Sequence, residues 1–121
     1  LWTRRNKYSN FMPPEKQPPR AERIARLNDE FRRNGPGADW VATVGALALK
    51  DFPGLVQAVK DFETFTEDND PYHEHDFGGI TWQNEKTYWK INYYDQQLMY
   101  GEDALSPECR RVLTILLASE Y

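Results

Sequence analysis

Ile24, Leu27, Asn28 and Phe31 recur at helical spacing, with only Asn28 off the apolar pattern. The spacing predicts an amphipathic helix from about Ala21 to Asn34, with Arg23, Arg26, Arg32 and Arg33 largely elsewhere on the wheel. Gly35-Pro36-Gly37 stops it, because glycine permits a left-handed exit and proline cannot continue. Trp40 to Val44 is short and β-branched and reads as a strand. Gly45 to Lys50 suits a helical turn as well as a strand. A second helix is predicted from about Pro53 to Phe65, with Asp51 as its cap, Pro53 in its first turn, and Leu55, Val56, Val59, Phe62 and Phe65 on its apolar face.

Thr66 to Gly78 follows as a loop, with Asn69, Asp70 and Pro71 as turn residues. Ile80 to Gln83 then pairs through Asn84-Glu85 with Lys86 to Tyr94. Trp89, Ile91 and Tyr93 alternate with Tyr88, Lys90, Asn92 and Tyr94, so one face of this hairpin is expected to be buried. Gln96 to Leu105 reads as a loop. Ser106 and Pro107 read as the cap and first position of a last helix, whose stripe is Cys109, Val112, Leu113, Leu116 and Leu117. The predicted order is α-β-α-β-β-α. It gives an α+β fold in which a small antiparallel sheet carries helices on one face.

A length of 121 residues suits one domain, expected over residues 21–121. Residues 1–20 hold Pro13, Pro14, Pro18 and Pro19 with Arg4, Arg5, Lys7, Lys16 and Arg20, the composition of a flexible basic arm. The chain begins with Leu1, and Met12 opens a frame of its own, so the native start stands open between Leu1, Met12 and an upstream residue. The net charge of -4 divides unevenly: residues 1–35 hold nine Lys/Arg against four Asp/Glu, and the remainder holds six against fifteen. An acidic body repels phosphates, so nucleic acid is expected, if anywhere, at the arm. Cys109 is the single cysteine, which excludes an intrachain disulfide and a thiolate zinc site. No membrane span and no secretory signal are evident, and the cytoplasm is the expected compartment.

Both histidines, His73 and His75, lie in the loop at 66–78 among five carboxylates. Imidazole and carboxylate together can move protons or hold a metal. The candidates for catalysis are His75, Glu74, Asp76 and Asp95, as a base and its orienting groups. The candidates for a divalent metal are His73, His75, Asp76 and Asp70. No His-Glu-x-x-His helix and no calcium-loop pattern is present. In the simplest alternative the loop is structural, with His75 hydrogen-bonded to a carboxylate or carbonyl. Tyr88 and Tyr94 are expected on the hairpin face away from the core, where aromatic side chains mark interfaces.

Three stretches, Asp68 to Gly78, Trp89 to Asp95 and Arg111 to Tyr121, resemble in order and spacing the bacterial family known as domain of unknown function 3768. The resemblance covers about residues 21–121 and implies a small cytoplasmic bacterial protein, common on mobile DNA. It implies no activity, cofactor or partner. The family pattern has glycine where this chain has His73 and aspartate where it has Asn92. Glu74, His75, Asp76 and Asp95 match.

With no complete catalytic set, the chain reads as a non-enzymatic protein-interaction domain without a cofactor. Its setting would be a mobile-element accessory protein or an inhibitor of a host defence system. Asp68, Asp70, Tyr72, His75, Tyr88 and Tyr94 are the expected binding residues. The alternative is a metal-dependent hydrolase or nuclease built on the loop.

Overall fold

The computed structural model describes residues 16–121. Most of the expected basic arm therefore lies outside the described residues. Helix α1 spans Arg20–Arg33, β1 Trp40–Ala42, α2 Val44–Leu47, α3 Phe52–Lys60, β2 Phe77–Trp82, β3 Glu85–Tyr94 and β4 Arg110–Leu117, and a 3-10 turn covers Ala118–Glu120. Helices and a four-stranded sheet make the fold α+β, and the expected element order holds through the hairpin.

The last element differs from expectation. Arg110–Leu117 is a strand, and the sheet runs β1-β4-β3-β2. β4 pairs antiparallel with β3 and parallel with β1, so the sheet is mixed rather than antiparallel. The physical reason lies in where β4 sits. A strand between two neighbours is apolar toward both faces, and its continuous run of Val112, Leu113, Thr114, Ile115, Leu116 and Leu117 offers the same residues to a helical stripe. Ser106 caps no helix. Its hydroxyl accepts from the Glu108 backbone N–H at 3.0 Å in a local turn.

Helix α3 starts as its sequence specifies: the Asp51 carboxylate accepts from Gly54 N–H at 3.2 Å and Pro53 stands in the first turn. It ends at Lys60, earlier than expected. Arg32 explains the early stop. Its guanidinium donates to the carbonyls of Val59 and Lys60 at 2.9 and 2.8 Å, which a continuing helix would have used for its own next turn. The hairpin turn also sits one residue earlier than predicted, at Gln83-Asn84, with φ of 52° and 67°. Two successive left-handed residues match the twist of a two-residue hairpin.

Register fixes the two faces of the sheet, because directly paired residues point the same way. The first face carries Trp89 opposite Ile115 and Ile91 opposite Leu113. With Ala46 of α2 and Leu55 and Val59 of α3 these form the main core, against which Phe31 of α1, Phe62 and Phe65 also pack. Fully burying one such aliphatic side chain stabilises by about 1.5–3 kcal/mol. Gly78 lies opposite Trp89. A Cβ there would stand 2.4 Å from the indole nitrogen and 2.8 Å from Phe62, so only glycine lets the indole lie against the strand. Among the described residues the helices all pack on this face, as the sequence predicts.

Candidate functional site

The segment between α3 and β2 is tied down by its own polar residues. Thr66 N–H donates to Asn69 Oδ1 at 2.9 Å, and Asn69 Nδ2 donates to the Thr64 carbonyl at 2.9 Å. Asp70 is 3% exposed, and its Oδ1 accepts from the backbone N–H groups of Glu74 and His75 at 3.1 and 3.2 Å. That curl places both His73 and His75 in the left-handed region, with φ of 59° and 56°. The two imidazoles go different ways. His73 is exposed, with Nε2 at 3.5 Å from Glu67. His75 turns inward and stacks on the Phe65 ring, with centroids 3.8 Å apart and planes within 3°.

His75 is held from both sides. Nδ1 lies 3.0 Å from each oxygen of Asp29, and facing a carboxylate it is the donor. Nε2 lies 3.7 Å from Asp70 Oδ2. Asp29 also accepts from Arg32 at 2.9 Å, and the Arg32 guanidinium lies over Trp89 at 5.1 Å and Phe65 at 5.7 Å. Arg32 is fully buried, which corrects its expected place away from the packed side of α1. It stands eight residues after Ile24 and four after Asn28, on the same face as both. Burial lowers its pKa from the ordinary value, and Asp29 opposes that shift.

A second chain of contacts continues from Asn28. Its Nδ2 donates to the Glu74 carbonyl at 2.9 Å and to the Tyr93 hydroxyl at 2.8 Å, and its Oδ1 accepts from Arg111 Nε at 2.6 Å. Arg111 in turn donates to the Ala104 carbonyl at 2.7 Å. So α1, the loop, β3, β4 and the segment before β4 meet through polar side chains. This is the polar exception in the α1 pattern, explained: Asn28 is fully buried because its partners are there.

The sequence candidates distribute as follows. His75, Glu74 and Asp70 are drawn together, while Asp76 lies beside them and its carbonyl accepts from Ile91 N–H at 2.8 Å. Burial, with a neighbouring carboxylate, raises the pKa of both Glu74 and Asp76. Asp95 does not orient His75. Its Oδ1 accepts from the Met99 and Tyr100 N–H groups and caps the turn after β3. The group that orients His75 is Asp29, which sequence reasoning missed. Its only local signal was its place next to Asn28. Asp68 and Tyr72 are exposed. The proposed metal set does not converge, since His73 faces Glu67 and His75 faces Asp29. Among the described residues no group of three or more His, Cys, Asp and Glu is placed to hold a metal ion.

The other candidate surface is the second face of the sheet. Tyr88 and Tyr94 point to it, as the alternation predicts, together with Lys86, Lys90 and Asn92 of β3. β2 adds Phe77 and the exposed Thr81, and β4 adds Val112 and Thr114. Phe77 and Tyr88 lie 4.9 Å apart, and Tyr121 meets both edge-on at 6.0 and 5.6 Å. Cys109 precedes β4 rather than lying on a helix face, and burial raises its thiol pKa. A half-buried thiol whose pKa is raised is a poor nucleophile.

The family profile described as protein of unknown function (DUF3768) matches residues 41–120. The chain belongs to this family. Comparison with curated proteins and with solved structures found no match. The DUF3768 match covers the loop, the hairpin and β4, whereas Asn28, Asp29 and Arg32 of α1 precede it. The DUF3768 chain has, among its described residues, no helix long and apolar enough to cross a membrane.

Two expected results arise here. The left-handed His73 accounts for the glycine that the family resemblance places there, since glycine adopts that conformation without a Cβ clash. His73→Gly is expected to stabilise by about 0.5 kcal/mol: relief of about 1–2 kcal/mol exceeds the added chain entropy. A loss in urea unfolding would show that the His73–Glu67 contact outweighs backbone strain. The second concerns Tyr93, whose pKa burial pushes up to about 12. The unfolded chain ionises first, near the ordinary value of about 10. Stability is therefore fully present below about pH 10 and is lost as pH rises toward 12. Tyr93→Phe is expected to flatten that alkaline decline; an unchanged slope would assign it to other groups.

Proposed function

We propose that this DUF3768 chain acts by docking a protein partner and not by chemistry of its own. The observation that carries this reading is the second sheet face. It presents Phe77, Tyr88, Tyr94 and Tyr121, and among the described residues no helix packs on it. Apolar and aromatic surface of this kind is worth most when a partner removes it from water. The loop supports the same reading. His75 is stacked on Phe65 and bonded to Asp29, so its ring serves packing and anchoring rather than standing open to a substrate.

The test uses a photo-crosslinking residue introduced at Thr81 or Asn92, both exposed on this face, and at Gln57 on the exposed side of α3 as control. Irradiation in cells producing the full chain is expected to give one discrete protein adduct from Thr81 and Asn92 and none from Gln57. Adducts that are absent, or the same from all three positions, would sink the docking reading.

A further inference from the structure

The second sheet face differs in charge from the rest of the molecule. The chain has a net charge of -4, yet no Asp or Glu of β1 to β4 points to this face. Its cations are Lys86, Lys90 and Arg110. Arg110 is already occupied by Asp39, with which it makes two bonds of 3.0 and 2.8 Å. Lys86 and Lys90 have no carboxylate partner among the described residues, and Lys90 Nζ rests over the Tyr121 ring at 5.6 Å. The two lysines flank Tyr88 in one row, about 13 Å apart at the rise of about 3.3 Å per strand residue.

Charge decides between the possible occupants of this row. Residues 1–15 carry Arg4, Arg5 and Lys7 against Glu15, so the chain's own arm would bring like charge to the lysines. A second copy packed face to face about a two-fold axis would set the same lysine rows against each other. Nucleic acid is disfavoured by number. Two unpaired cations neutralise two phosphates, where proteins that bind duplexes through their backbones commonly engage about 6–10. An acidic stretch of polypeptide meets both the lysines and the ring between them.

Building on the docking reading above, we propose that the Lys86–Tyr88–Lys90 row binds an acidic segment of the partner. Two carboxylates about 13 Å apart would pair with the lysines, four positions apart if the segment is extended. An apolar or aromatic side chain between them would lie on Tyr88. The charge pairs select the partner and speed encounter, while the ring contact supplies buried area.

The experiment is fluorescence anisotropy with the full chain at about 0.1 M salt, using a labelled peptide repeating Glu-Ser-Tyr-Ser, which sets Glu, Tyr and Glu in turn along one face when extended. The same peptide with Lys for Glu is one control, and an oligodeoxythymidine of equal length is the competitor. The Glu/Tyr peptide is expected to bind at least tenfold more tightly than the Lys/Tyr peptide. Lys86→Glu with Lys90→Glu is expected to remove that preference. Arg23→Glu with Lys50→Glu changes net charge equally at exposed positions elsewhere, and is expected to keep binding within about twofold. Thermal unfolding of each variant establishes that it is folded. Equal binding of the two peptides, or equal loss in both double variants, would overturn the proposal. Displacement of the peptide by oligodeoxythymidine at lower concentration would overturn it in favour of nucleic acid. If the acidic preference fails while crosslinking from Thr81 and Asn92 still yields an adduct, the inferred partner chemistry is wrong and docking stands. If both fail, both are wrong.

Discussion

Replacing Arg32 by alanine is expected to destabilise the fold by about 3–5 kcal/mol. The guanidinium is fully buried and holds five partners at once: Asp29, the two last carbonyls of α3, and the faces of Trp89 and Phe65. Alanine leaves Asp29 facing His75 without its nearest cation, and it leaves the Lys60 carbonyl without the donor it has in Arg32, while the Val59 carbonyl keeps the Phe62 N–H at 3.3 Å. Loss of the long side chain also opens a void beside Trp89. Arg32→Lys is expected to recover less than half of the loss, because one ammonium cannot span the carboxylate and both carbonyls or stack on the rings. Urea unfolding checks both variants. A loss below about 1 kcal/mol for alanine would mean that the site relaxes or admits water, and that the network contributes no more than a surface pair does.

Asn28→Ala is expected to cost about 2–4 kcal/mol. It removes three bonds at the meeting point of α1, the loop, β3 and β4, and leaves the Glu74 carbonyl and the Tyr93 hydroxyl facing a gap. The consequence is local as well as global. Asn28 is what fastens Glu74, and with it the turn carrying His75, to the helix. Hydrogen exchange is therefore expected to speed up at Glu74, His75 and Asp76 before the amides of β3 and β4 respond. Combining Asn28→Ala with Tyr93→Phe is expected to cost less than the two separate losses added together, because the second change removes a partner the first had orphaned. Strict additivity would show that the 2.8 Å contact between them carries no coupling energy.

Both variants act where the sequence was least legible. Helix α1, the start of α3 and the hairpin follow from signals within a dozen residues. These are apolar spacing for α1, the Asp51 cap with Pro53 for α3, and alternation of Tyr88 through Tyr94 for β3. The misreadings share one feature. The apolar run of β4 fits both the helical and the strand period, and only its place between β1 and β3 makes it a strand. The apolar spacing carries α3 on to Phe65, whereas Arg32, which binds its last carbonyls, lies 27 positions away from Val59. Asp95 leaves the hairpin and offers itself as the orienting group of His75, whereas the actual partner, Asp29, is 46 positions distant along the chain.

Local pattern along the chain is enough for the α+β class, the helices on one side of a sheet, the faces of the hairpin, and the family. It also marked the loop as the place where charge and imidazole concentrate. These properties are local or statistical, since periodicity, capping and turn chemistry act over a few residues. Which histidine turns inward, what holds it, and why Asn28 and Arg32 stand on an apolar helix face follow from the packed fold. It alone showed that no Asp or Glu of the four strands points to the second sheet face, which carries Lys86, Lys90 and the rings. Those outcomes depend on which side chains the fold brings within about 3 Å of each other, and hydrogen bonds of that length join residues without regard to their separation in sequence.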